Sequence, residues 1–146
     1  MPDVSSFLDI RSGDIKDPVL LTAGQYLFRI TSYKPGEIPN DKKTPKVDVS
    51  FKAVEVIDSD LSEEDFAAAQ GVTHQFYMSE AAKPYTKRWL KETVGVDDDE
   101  GDKTLRVMFE ESIGMHVRGF TKSVMRGQNK DRSGVEIERF ALADID

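Results

Sequence analysis

A two-residue alternation of apolar and polar side chains is the feature that most constrains this chain. From Gln25 to Tyr33, Tyr26, Phe28 and Ile30 alternate with Leu27, Arg29, Thr31 and Tyr33. An extended strand sends successive side chains to opposite faces, so such a stretch buries one face of a sheet and wets the other. The pattern returns from Lys46, where Val47, Val49 and Phe51 share a face before the apolar parity moves to Val54 and Val56, as a β-bulge or barrel bend requires. Val72, His74, Phe76 and Met78 alternate with Thr73, Gln75 and Tyr77 in a third strand. In a fourth, Met115, Val117 and Gly119 oppose His116, Arg118, Phe120 and Lys122, and Val135 to Phe140 forms a fifth.

The segments between these strands read differently. KPGEIPNDKKTPK, with its three prolines, predicts a long irregular loop after the first strand. In LSEEDFAAAQG, Ser62 caps a short helix with Asp65 at the third position, Leu61 and Phe66 staple it, and Gly71 ends it. A second helix runs from about Lys83 to Val94, with Pro84 in its first turn, Gly95 past its end, and Tyr85, Trp89 and Leu90 on an apolar face. After the acidic DDDEGD loop, Thr104 caps a third helix carrying Leu105, Met108 and Phe109, which stops at Gly114. RGQNKDRSG is the last turn. This order predicts a mainly β fold, an OB-fold-like five-stranded barrel with helical segments between strands 2 and 3 and between strands 3 and 4. The barrel domain spans 21–143, behind an N-terminal arm of 1–20 and ahead of a short acidic tail at 144–146.

Several chemistries lack their parts. The 146 residues include no cysteine, which removes disulfides, thiolate metal sites and cysteine nucleophiles. His74 and His116 are the only histidines, lie in different strands and form no HxxxH pair; GxSxG, GxxxxGK[ST] and GxGxxG are absent. The DDDEGD spacing does not match an EF-hand. The expectation is a binding protein without cofactor or metal, not an enzyme. MPDVSSFLDIRSGD has no basic start followed by an apolar run, and no long apolar run follows, which predicts a cytoplasmic protein.

The net charge of -7 argues at first against a nucleic-acid partner, yet the charges are sorted. Tyr33 to Lys46 holds four lysines against Glu37 and Asp41, net +2, and Arg118 to Gly134 holds five basic residues against Asp131, net +4. In an OB fold the ligand crosses strands 2 and 3 between the loops that join strands 1 to 2 and 4 to 5. Those loops are the two basic segments. They offer Lys34, Lys42, Lys43 and Lys46 on one side, and Lys122, Arg126, Lys130 and Arg132 on the other. Alternation turns Arg29, Tyr33, Lys52, Tyr77, Arg118, Phe120 and Lys122 outward, while Phe51 and Phe76 face the core. Exposed rings stack bases and cations follow the backbone, the composition of a single-strand platform without sequence preference. The plainer alternatives are that the lysines serve solubility and that each ring packs under a helix or the arm. Lys83, Lys87, Arg88 and Lys91 form a further basic stripe, read as solvated, and Tyr85 and Trp89 are read as core.

LTAGQYLFRI, VDVSFKAVEV, HQFYMSEAAKPYTKRWLKETVG, ESIGMHVRGFT and VEIERFALAD together resemble phage-encoded single-stranded-DNA-binding proteins with an OB-like fold, over residues 20 to 143. The resemblance implies sequence-tolerant binding of single-stranded DNA in phage DNA replication or recombination, in the host cytoplasm. It also implies contact with phage replication proteins through an acidic C-terminus, although ALADID is shorter than the acidic tails of bacterial counterparts. Composition leaves two other classes open: a virion or assembly protein, and a small acidic inhibitor of a host DNA-processing enzyme.

Overall fold

Each alternating stretch forms a strand, and most run longer than their apolar pattern. The computed structural model describes residues 6–15, 18–39, 43–126, 129 and 132–143. Two short 3-10 turns, Ser6–Asp9 and Ser12–Asp14, precede β1 (Gly24–Glu37), β2 (Pro45–Asp58), α1 (Glu63–Ala68), β3 (Val72–Tyr77) and α2 (Lys83–Arg88). α2 runs on into a π-helical turn, Trp89–Val94, followed by α3 (Leu105–Ser112), β4 (His116–Arg126) and β5 (Arg132–Leu142). The five strands make one antiparallel sheet in the order β3-β2-β1-β4-β5.

The proline-rich segment corrects the loop expected there. Lys34, Pro35, Gly36 and Glu37 pair with Asp48, Val47, Lys46 and Pro45, so β1 and β2 stay paired through this segment, with β3 still on the other side of β2 as far as Lys46. Here β1 has lost its other neighbour, because β4 pairs with it only over Gly24 to Arg29. β1 is therefore an edge strand here, where a sheet accepts Pro35 without losing a ladder bond. The turn between β4 and β5 shortens likewise, since Arg126 already pairs with Arg132.

Bulges set which residues point inward. Leu27 faces Glu55 while Phe28 faces Ala53, leaving Val54 as the extra residue of the expected bulge. Val54 is not inward, however: it is 39% exposed, and Ala53 takes the buried place. A second bulge at Thr31 separates the Ile30–Phe51 pair from Ser32–Ser50. Beyond it the parity of β1 is reversed.

The inner face carries Tyr26, Phe28, Ile30, Val49, Phe51 and Val117, all buried, and the π-helical turn and α3 close over it with Trp89, Leu90, Met108 and Phe109. Phe76 packs partly buried against Trp89, with ring centroids 4.4 Å apart. Gly119 is required: a Cβ there would lie 2.6 Å from the Phe28 ring. Both expected caps form, Ser62 Oγ accepting from the Asp65 N–H at 3.1 Å and Thr104 Oγ1 from the Val107 N–H at 3.2 Å. Gly95, at φ +96°, ends the π-helical turn in the left-handed conformation.

The edge strands β3 and β5 approach each other through side chains. Phe140 lies 5.1 Å from His74 and 6.2 Å from Phe76, ring to ring, and no hydrogen-bonded ladder joins the two strands among the described residues. No helix among those residues is long and apolar enough to cross a membrane.

Candidate nucleic-acid interface

Cross-strand partners share a face, so the register alone lays out the outer surface of β3, β2 and β1. Tyr77 is opposite Lys46, and Lys46 opposite Gly36; Gln75, Asp48 and Lys34 form the next row, then Thr73, Ser50 and Ser32. Farther along, Lys52 pairs with Arg29 and Arg29 with His116. The face is polar, and its charged side chains are the cations Lys34, Lys46, Lys52 and Arg29, with Asp48 as the one acid in these rows. Lys52 and Arg29 sit directly opposite each other, an arrangement that costs stability when no anion lies between.

Several of these cations are engaged. Lys46 Nζ is 3.0 Å from Asp48 Oδ2, and Lys52 Nζ donates to the Ala69 carbonyl at 2.9 Å. Arg118 Nε donates to the Leu142 carbonyl at 2.5 Å. Arg126 donates to the Val135 carbonyl at 3.0 Å and lies 3.7 Å from Glu136. Arg29, Lys34, Lys43 and Lys122 are exposed, and no carboxylate among the described residues pairs with them. Lys42 and Lys130 lie outside the described residues, as does the Arg132 side chain.

The three rings expected to face outward differ. Tyr77 does so and is 50% exposed. Phe120 stands on the outer side of β4 but is half-buried, with the Arg139 guanidinium 4.1 Å from its ring centre. Tyr33 is a correction. The Thr31 bulge turns it to the same face as Val49, its partner, and its ring stacks on Phe109 at 5.5 Å. The Tyr33 hydroxyl donates to Glu110 Oε1 at 2.6 Å, and that hydrogen bond to a carboxylate pushes the phenol pKa upward. A parity shift inside a strand leaves no mark in a polar sequence such as ITSYK, so Tyr33 reads outward until the pairing is known.

Beside Tyr77 the seam between β3 and the β4–β5 hairpin opens into a groove of about 830 Å³, lined by Asp48, Gln75, Tyr77, Met125, Arg126 and Glu136 among others. His74 lines it too, wedged between the Phe76 and Phe140 rings at 4.7 and 5.1 Å. Burial pushes its pKa down, and nearby Glu136 opposes that only in part. The unfolded chain then binds a proton more readily than the folded one, so the fold is favoured above the ordinary histidine range and loses stability as pH falls through about 6.5. Melting temperatures measured between pH 7.5 and 5.5 are expected to fall on acidification, and His74→Gln should flatten that slope. An unchanged slope in the variant would show that His74 is not the group responsible.

Sequence reasoning also missed Tyr85. The spacing places it on the apolar face of α2, but it is 71% exposed, and the neighbouring Thr86 is buried in the first turn instead. Neither a family model nor a curated protein matches this sequence.

Proposed function

We propose that this chain binds single-stranded DNA without sequence preference, along the outer face of β1, β2 and β3, and that it serves phage DNA replication or recombination as the resemblance implies. We read the sheet as a partly open barrel of the OB type. The strand order β3-β2-β1-β4-β5, with the two edge strands meeting through Phe140, His74 and Phe76, supports that reading. The two hairpins that would clamp a ligand are the β1–β2 arm and the β4–β5 arm.

The observation that carries the proposal is Tyr77. A half-exposed ring stands beside Lys46, at the end of a face whose unpaired cations include Lys34 and Arg29, and next to an open groove. A base stacks on the ring while its phosphates meet the cations. Binding is then electrostatic and stacking in character, with no cofactor and no covalent step.

Tyr77→Ala is expected to weaken binding of an unstructured oligonucleotide by about 1–3 kcal/mol and to leave the melting temperature unchanged. Tyr33→Ala should do the reverse, melting earlier and binding normally, because its ring belongs to the α3 packing. Fluorescence titration and thermal melts on both variants decide the matter. Normal binding by Tyr77→Ala would remove this ring from the site.

A further inference from the structure

Among the described residues Tyr85 is the most exposed aromatic side chain, at 71%. Thr86 occupies the inward place of the first turn of α2, which leaves the Tyr85 ring on the outer side beside the basic stripe. Lys87 and Arg88 are exposed, Lys91 is half-buried, and the Arg88 guanidinium lies 5.9 Å from the Tyr85 ring centre. Pro84, Lys87, Arg88, Lys91 and Glu92 line a shallow groove of about 270 Å³. Glu92 is its one acid, and Lys83 is already held by Glu80 at 2.7 Å. The combination of an open ring with cations at three- and four-residue spacing repeats, on a helix, what Tyr77 and Lys46 offer on the sheet.

The two places are joined by a short, tied segment. The Met78 N–H donates to the Pro45 carbonyl at 2.8 Å, extending the pairing of β3, and the Lys83 N–H donates to the Ser79 carbonyl at 3.0 Å, starting the helix at once. Tyr77 and Tyr85 thus stand on elements that follow each other directly in the chain.

We infer that α2 and the π-helical turn after it are a second binding site for the same single strand, with Tyr85 stacking a base and Lys87, Arg88 and Lys91 holding the adjoining phosphates. This rests on the single-strand reading of the sheet face. It predicts a length dependence that the sheet face alone does not: only an oligonucleotide long enough to pass Tyr77 gains the helix contacts.

The test is an anisotropy titration of the full chain with oligothymidylates of about 4 and about 20 nucleotides, bracketing the site sizes of such domains. Tyr85→Ala, and separately Lys87→Gln with Arg88→Gln, should each lower affinity for the long oligonucleotide by about tenfold, with no change for the short one or in melting temperature. Unchanged affinity for the long oligonucleotide overturns the second site. Equal losses at both lengths overturn it as well, because the helix would then not be a separate, later contact. If Tyr77→Ala weakens binding and Tyr85→Ala does not, the sheet-face reading stands and this one falls. A wild-type chain that binds neither length overturns both.

Discussion

Phe51→Ala should cost this fold about 3–5 kcal/mol, through lost transfer energy and an unfilled cavity. Phe51 is 1% exposed and faces Ile30 on β1 and Val72 on β3. Its ring lies 6.1 Å from Phe28, 6.2 Å from Trp89 and 5.4 Å from Phe140, so one side chain joins the central strand, the helical cover and the far edge of the sheet. Domains of this kind are stable by about 5–15 kcal/mol in total, so the loss takes from about a fifth of the margin to all of it. Trp89 is the single tryptophan and touches the substituted ring, which makes its fluorescence a direct reporter in a urea titration. The midpoint should move to much lower urea; an unmoved midpoint would mean that Phe51 does not hold the three layers together.

The second large effect concerns binding. Arg29, Lys34 and Lys122 are exposed and form no ion pair among the described residues. Replacing all three by glutamine should leave the fold intact. Each phosphate neutralised on a single strand contributes about -0.7 to the logarithmic salt slope, so removing three contacts should flatten it by about 2. Extrapolated from 1 M to 0.1 M salt, that is a loss of roughly a hundredfold in affinity. A titration of the triple variant against wild type at several salt concentrations reads both numbers, and a parallel pair of salt lines would take these residues out of the interface.

The strands and helix caps were legible in the sequence because each leaves a local signal. Alternation wrote the inner faces of β1 to β4, and Ser62 and Thr104 announced their helices at fixed spacing. What was not legible depends on pairing. Pro35 and Pro45 read as breakers, yet Pro35 lies where β1 has an open edge and Pro45 is the first residue of β2, both places that tolerate proline. Tyr33 reads as outward, yet the Thr31 bulge turns it onto Phe109. Tyr85 reads as core by its four-residue spacing to Trp89, yet Thr86 takes the inward place. The cations of the candidate face were all visible in the sequence, but their carboxylate and carbonyl partners were not. Lys46 is bound to Asp48, whereas Lys34, which lies opposite Asp48 across the strands, forms no ion pair among the described residues.

The most direct test is a salt series of fluorescence titrations of the wild-type chain with an unstructured single strand, run beside a duplex of the same length. The proposed interface predicts binding to the single strand whose logarithm falls linearly with the logarithm of salt, with a slope of about -2 or steeper for three or more phosphates. It also predicts weaker binding to the duplex, whose bases are not free to stack on Tyr77. A flat salt dependence, or equal affinity for the two forms, would contradict it.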